Sequence, residues 1–235
     1  MTGSLSASLA PVAGDAARAL PVHAVHHRRG AVYRTAETPI GGAAKRAIDL
    51  VLALIALTIA APMLAVFAIL IRLESRGPVI FTQWRAGFRG RAFRIYKLRT
   101  MAGRHSGRGL RQAQRKDPRV TRLGAFLRRM SIDELPQIIN VLKGDMSIVG
   151  PRPHAISPEG DFRRAAEDYA LRRMARPGLT GLAQVSGARG LTDTPEKLAR
   201  RIHYDLAYVR RWSLALDFWI MIRTALVVLR DPAAH

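Results

Sequence analysis

Two adjacent carboxylates, Asp133 and Glu134, are the residues in this sequence best placed to do chemistry. Acidic side chains are scarce, 17 against 38 lysines and arginines, and this pair follows an arginine-rich stretch. Ser131-Ile132-Asp133-Glu134 has the Ser-x-x-Glu form of a capping box, so one reading is structural: the pair starts a helix. The other reading is chemical. A helix N-terminus keeps a nearby carboxylate ionised. An ionised aspartate can attack a phosphorus centre and form an acyl phosphate. Its neighbour can hold Mg²⁺ through oxygen, the ion neutralising phosphate charge. Spacing alone leaves both readings open.

A carboxylate that must approach a diphosphate needs cations around it. The candidates are Arg128, Arg152, Lys97 and Arg99. Arg152 lies between Pro151 and Pro153, which fixes its backbone and suits its planar fork to phosphate. A structural salt bridge is the plain alternative. Lys97 and Arg99, two apart on an expected strand, share one face; their alternative is a solvated edge. His154 and His203 stand alone, without metal-ligand spacing. The chain has no cysteine, which excludes a disulfide scaffold, a Cys-ligated zinc and a thiol nucleophile. There is no P-loop and no G-x-G-x-x-G pattern.

The formal net charge is +21 over 235 residues. Such a balance points to polyanionic company: nucleic acid, an anionic membrane surface or phosphorylated substrates. No nucleic-acid module and no aromatic-basic platform accompanies it, so no nucleic-acid partner is expected.

These groups must be positioned by the elements around them. Ala47 to Ile71 is apolar except for Asp49 and Thr58, long enough to cross a bilayer as one helix. Pro62 interrupts it. Both flanks are basic, Lys45-Arg46 before and Arg72, Arg76 and Arg85 after, and basic flanks prefer the cytoplasm. The residues alone leave a spanning and a re-entrant helix both open. Val79-Ile80-Phe81 and Ala92 to Arg99 predict a hairpin across Gly87–Gly90. Residues 102–116 read as a mobile loop. Val120, Leu123, Leu127 and Met130 predict an amphipathic helix with an arginine rim, suited to a membrane interface. Leu135 to Leu142 continues as a helix that Gly144 ends; Pro136 makes its first turn irregular or moves its cap later. Ile148–Pro153 and Arg176–Gly181 read as two loops, with a basic helix over 161–175 between them. Thr194-Pro195-Glu196 starts a helix, and Trp212 to Leu229 is an interfacial apolar segment. Residues 1–40, rich in Ala, Gly, Ser and Pro, read as a disordered tail with no secretory signal.

From Lys45 to Arg230 the chain resembles the bacterial sugar transferases, the monotopic polyprenyl-phosphate phosphoglycosyl transferases. The matching pieces include Gly77-Pro78-Val79-Ile80-Phe81, Tyr96-Lys97-Leu98-Arg99-Thr100-Met101, Asp117-Pro118-Arg119-Val120-Thr121 and Ser131-Ile132-Asp133-Glu134-Leu135-Pro136-Gln137. Gly144-Asp145-Met146-Ser147-Ile148-Val149-Gly150-Pro151-Arg152-Pro153, Arg176-Pro177-Gly178-Leu179-Thr180-Gly181 and Trp212-Ser213-Leu214 complete it, in order. The resemblance implies a two-step covalent reaction. The residue at Asp133 is the nucleophile, taking a phosphosugar from a UDP-sugar and releasing UMP. Polyprenyl phosphate then takes the group. Glu134 is associated with Mg²⁺. The resemblance also implies a re-entrant helix broken near Pro62, on the cytoplasmic face of a bacterial inner membrane.

Ala61-Pro62 stands where many members have Ser-Pro, Leu98 replaces a commoner Phe and Leu182 a commoner Trp. None of these removes a proposed catalytic group. The expected architecture is mostly α with a short β element: a tail over 1–40, a re-entrant proline-broken helix over 41–76, and a catalytic part with amphipathic interfacial helices over 77–235. The length suggests a minimal form. The rival from another class is a non-catalytic basic membrane anchor, which accounts for charge and hydropathy but not for an acidic pair in a basic setting.

Overall fold

The computed structural model describes residues 37–102, 117–153, 171–190 and 194–230. The tail up to residue 36, most of the loop 102–116, His154 and most of the helix expected over 161–175 lie outside them.

Helix α1 runs Gly42–Glu74, 33 residues. At about 1.5 Å per residue it is roughly 50 Å long. It is long and apolar enough to cross a membrane by length and composition, and only 11% of its most apolar window is buried. The break expected at Pro62 is absent: α1 is one uninterrupted helix with Pro62 inside it. Proline removes a single backbone donor, and the alanine- and leucine-rich turns on either side keep the rest of the ladder.

The buried side of α1 is one stripe. Lys45, Asp49, Ala53, Ala60 and Ile71 are buried, with Ala56, Leu57, Leu64 and Phe67 partly buried between them. Spacings of three and four put these on a single face. Val51, Leu54, Ile55, Ile59, Val66 and Ile69 point outward and are exposed.

Both ends of this stripe rest on the remainder of the fold. Near the N-terminus, Arg46 donates to the carbonyls of Val141 (2.6 Å) and Leu142 (2.9 Å). Lys45 pairs with buried Asp217 at 2.6 Å, whose carboxylate also accepts from Tyr208 Oη and Trp212 Nε1. Near the C-terminus, Ile71 packs with Leu98 and Leu127, each such burial contributing about 1.5–3 kcal/mol.

Strands β1 (Ile80–Ala86) and β2 (Ala92–Leu98) form the expected hairpin, Ile80 opposite Leu98 and Ala86 opposite Ala92. Phe93 and Ile95 face the core. Helix α2 (Arg122–Arg129) is capped by Thr121, whose hydroxyl accepts from Gly124 N at 2.9 Å. Gly124 has no room for a side chain: a Cβ there would lie 2.1 Å from the Thr100 carbonyl oxygen. A 3₁₀ stretch, Ile132–Gln137, then leads into α3 (Ile138–Lys143), which ends at Gly144 in the left-handed conformation.

The two segments read as loops are paired. Strand β3 (Ser147–Val149) lies parallel to β4 (Gly178–Thr180), with Ser147 opposite Gly178 and Val149 opposite Thr180. At three residues each they are too short to show a period. Gly178 permits the approach, since a Cβ there would meet Gly150 N at 2.1 Å. After a short α4 (Leu182–Val185) come α5 (Pro195–Arg211), capped by Thr194, and α6 (Leu214–Arg230). The described part is thus mostly helical with two small sheets, as expected in kind.

Candidate active site

The acidic pair sits on the 3₁₀ stretch, and the reason it does so is local. Ser131 adopts a left-handed backbone (φ 57°) and makes no side-chain cap bond, so the expected capping box does not form. Its hydroxyl instead accepts from Arg189 Nη2 at 2.5 Å. Pro136 has no N–H to give an α-helical bond, and the turn tightens accordingly.

Asp133 is 8% exposed. Among the described residues nothing hydrogen-bonds its carboxylate. Burial pushes its pKa up to about 6; Lys97, then Arg128 and Arg152, pull it down, while the Glu134 charge pushes it further up. At neutral pH the group is ionised yet more basic than an ordinary aspartate.

Glu134 is the opposite case. Burial alone would raise its pKa, but Arg152 and then Lys97 outweigh that and hold it well below the usual range. Arg152 grips both oxygens, Nη1 to Oε2 at 3.0 Å and Nη2 to Oε1 at 2.5 Å. Lys97 Nζ donates to Oε1 at 2.7 Å. Glu134 in turn raises the pKa of the Arg152 guanidinium. With Arg128, three cations face two carboxylates, leaving positive charge for an incoming phosphate.

Each cation is set by its own support. Lys97 is fixed through β2, which is pinned to α3 by Asn140: that amide donates to Arg94 O (2.7 Å) and accepts from Tyr96 N (3.1 Å). Arg128 donates from Nε to Thr100 Oγ1 at 2.8 Å, made possible by the close seat of Gly124. Arg152 follows β3 on the Pro151–Pro153 segment. Its carbonyl accepts from Arg172 Nη2 at 2.9 Å, and that same nitrogen meets buried Asp205 at 2.5 Å.

The structure therefore brings Asp133, Glu134, Arg128, Arg152 and Lys97 together. It does not bring Arg99. That guanidinium is buried and donates to the carbonyls of Ile71 (3.1 Å) and Ser75 (2.5 Å), capping α1. Arg99 follows directly after β2, and its guanidinium lies at the end of α1 rather than with the acidic pair. Gln137, Arg85, Arg172 and Asp205 were not singled out by the sequence reading. Gln137 alone carried a usable signal, lying four residues beyond Asp133.

Among the described residues no three His, Asp or Glu side chains cluster to hold a metal. Among the described residues the site has two acidic groups, one without hydrogen-bond partners and one gripped by cations.

Residues 40–231 match the family described as bacterial sugar transferase. The chain belongs to that family. A relative from Escherichia coli K12, UDP-glucose:undecaprenyl-phosphate glucose-1-phosphate transferase, is 46% identical over 202 residues, 85% of this chain and 44% of that protein. A Caulobacter vibrioides transferase of the same name is 50% identical over 191 residues, covering 81% of this chain and 72% of its own. A UDP-N-acetylgalactosamine-undecaprenyl-phosphate N-acetylgalactosaminephosphotransferase of Aeromonas hydrophila is 42% identical over 198 residues, 84% and 46% of the two chains. The chain thus spans less than half the length of two of these bacterial sugar transferase relatives. The matched residues contain the whole acidic pair with its cations.

Proposed function

We propose that this protein transfers a sugar 1-phosphate from a UDP-sugar to undecaprenyl phosphate, through a phosphosugar held covalently on Asp133. One observation carries the reading: a buried, raised-pKa aspartate, without hydrogen bonds among the described residues, stands beside a carboxylate locked in place by an arginine fork and a lysine. A nucleophile should be unencumbered and basic, whereas a structural carboxylate should be paired and depressed.

In the first step an Asp133 oxygen attacks the sugar-bearing phosphorus. The bond from that phosphorus to the bridging oxygen breaks, and UMP leaves with the electron pair. In the second step a phosphate oxygen of the lipid attacks the same phosphorus. The acyl-phosphate bond breaks and restores the Asp133 carboxylate. Arg128, Arg152 and Lys97 offset phosphate charge while it is redistributed.

Mg²⁺ takes oxygen ligands and is commonly held by one or two carboxylates together with substrate phosphates. The donor set here fits such a shared ion rather than a self-contained cage. Glu134, which accepts three hydrogen bonds from Arg152 and Lys97 and keeps one further lone pair, would hold it together with substrate phosphates, and it would supply charge neutralisation to the diphosphate.

The membrane arrangement we propose is re-entrant, with both ends of α1 at the cytoplasmic face of the inner membrane. Three features support it. Both flanks are basic. One stripe along all of α1 faces the same fold. Pro62 is on the exposed side, and a proline there favours bending toward the opposite, fold-facing stripe.

The test is UMP release from a panel of UDP-sugars, glucose and N-acetylgalactosamine included, by detergent-solubilised protein with undecaprenyl phosphate and Mg²⁺. Release with one donor, lost on adding EDTA, is expected. Silence across the panel from folded protein would favour the non-catalytic anchor.

A further inference from the structure

Asp49 is a carboxylate inside the apolar run of α1, only 3% exposed, and no step of the transfer chemistry uses it. An ionisable group in such a helix is costly to bury. Its Oδ1 accepts from Ile148 N at 3.0 Å, across 99 residues of chain. Its Oδ2 is buried with no hydrogen bond among the described residues. A half-satisfied buried carboxylate is a poor device for stability alone.

What Asp49 holds is the outer edge of β3. Ser147 N donates to Pro177 O on the β4 side at 2.8 Å. Successive N–H groups of a strand point to opposite edges, so that of Ile148 points away from β4. There Asp49 supplies the acceptor that a third strand would give. Four residues after Ile148 comes Arg152.

The same end of α1 holds the other side of the turn that precedes β3. Arg46 donates to the carbonyls of Val141 (2.6 Å) and Leu142 (2.9 Å) in α3. Arg176, which feels the Asp49 charge, donates to Gly144 O at 3.0 Å. Helix α3 continues the 3₁₀ stretch that carries Glu134, and β3 runs on toward Pro151-Arg152-Pro153. One short turn therefore separates the elements that carry the two halves of the Glu134–Arg152 fork, and α1 clamps it on both sides. With three residues, β3 has few backbone bonds of its own to resist a shift.

We infer that Asp49 is a positioning residue for the transfer: by holding β3 at Ile148 it sets where the Arg152 guanidinium meets Glu134 and an incoming phosphate. The inference rests on the transferase reading above. It gives the apolar helix a second task besides seating the protein in the membrane, since its first two turns keep the phosphate-facing arginine in register.

Steady-state kinetics of lipid-linked sugar formation by the full chain in nanodiscs test this. The substrates are undecaprenyl phosphate, Mg²⁺ and whichever of UDP-glucose and UDP-N-acetylgalactosamine the native protein uses. Asp49→Leu keeps bulk and removes the acceptor. Asp49→Ser leaves a hydroxyl too short to reach Ile148, which can bond to the Lys45 carbonyl of its own helix; it stands in if the leucine variant does not fold. Asp49→Asn keeps an acceptor oxygen. Thermal unfolding shows which variants are folded. In the folded leucine or serine variant, kcat is expected to fall on the order of tenfold, with KM for the donor within about twofold of native. Asp49→Asn should recover most of that kcat. Adding Asp49→Leu to Arg152→Lys should slow the reaction by less than about twofold more, because both act through one group. Native kcat in a folded variant overturns the inference. So does a loss that Asp49→Asn does not recover, or a double variant whose losses multiply. An active native protein with an indifferent Asp49→Leu sinks this inference alone; no product from native protein sinks the transferase reading and this inference with it.

Discussion

Arg152 grips both carboxylate oxygens of Glu134, and that fork separates the two neighbouring acids into different chemical roles. Glu134 is held ionised and immobile. Asp133, one residue earlier, has a carboxylate with no hydrogen bond among the described residues, and burial pushes its pKa up to about 6.

Replacing the fork should therefore be severe even with charge retained. Arg152→Lys cannot reach both oxygens at once. We expect steady-state transfer to fall on the order of 100-fold, with most of the loss in kcat, an effect of positioning and transition-state charge. An unchanged kcat would remove Arg152 from the reaction.

Asp133 makes a prediction about stability that is independent of activity. A carboxyl raised in the folded state stabilises the fold while protonated. That contribution is lost as pH rises from the ordinary aspartate value through about 6. Asp133→Asn removes the ionised form. It should unfold at a higher temperature than the native protein at pH 8, by on the order of 2 kcal/mol, and show little difference at pH 4. Paired thermal scans at the two pH values check this.

Arg99 offers a test of its place at the end of α1. Arg99→Gln should lower thermal stability by about 1–3 kcal/mol, because the carbonyls of Ile71 and Ser75 lose their charged donor. The KM for the UDP-sugar should stay within about twofold of native, since the group does not face phosphate. A large rise in KM without instability would return Arg99 to the site.

The course of α1 is tested by cysteine labelling in this cysteine-free chain. Thr35→Cys and Ser106→Cys lie on either side of the helix. Neither should react with an impermeant maleimide in intact cells, and both should react after lysis. Labelling of Thr35→Cys before lysis would mean a spanning helix.

Much of this arrangement was legible in the sequence, for identifiable reasons. Helices α2 and α5 announced themselves by period, and α5 also by its Thr194 cap, which forms. The hairpin followed from alternation at Phe93, Arg94 and Ile95 around glycine turns. Asp133, Glu134, Arg152, Lys97 and Arg128 were visible as rare acids amid cations, and they do converge. What failed were properties that only tertiary contact decides. Arg99, expected to share a strand face with Lys97, lies just past β2, where α1 ends beside it and engages its guanidinium. Ser131 has the sequence of a cap, but its backbone turns left-handed and its hydroxyl goes to Arg189. The pairing of β3 with β4 depends on backbone approach at Gly150 and Gly178, which no side-chain pattern signals. The support of Arg152 by Arg172 and Asp205 joins residues far apart in the chain.

The central claim is that Asp133 carries the phosphosugar. Intact-protein mass spectrometry after incubation with the active UDP-sugar and Mg²⁺, without any lipid acceptor, tests it most directly. The account predicts one added sugar phosphate on the native chain, discharged when undecaprenyl phosphate is supplied, and none on Asp133→Asn. Full transfer activity by Asp133→Asn, or an adduct that maps to another residue, would contradict it.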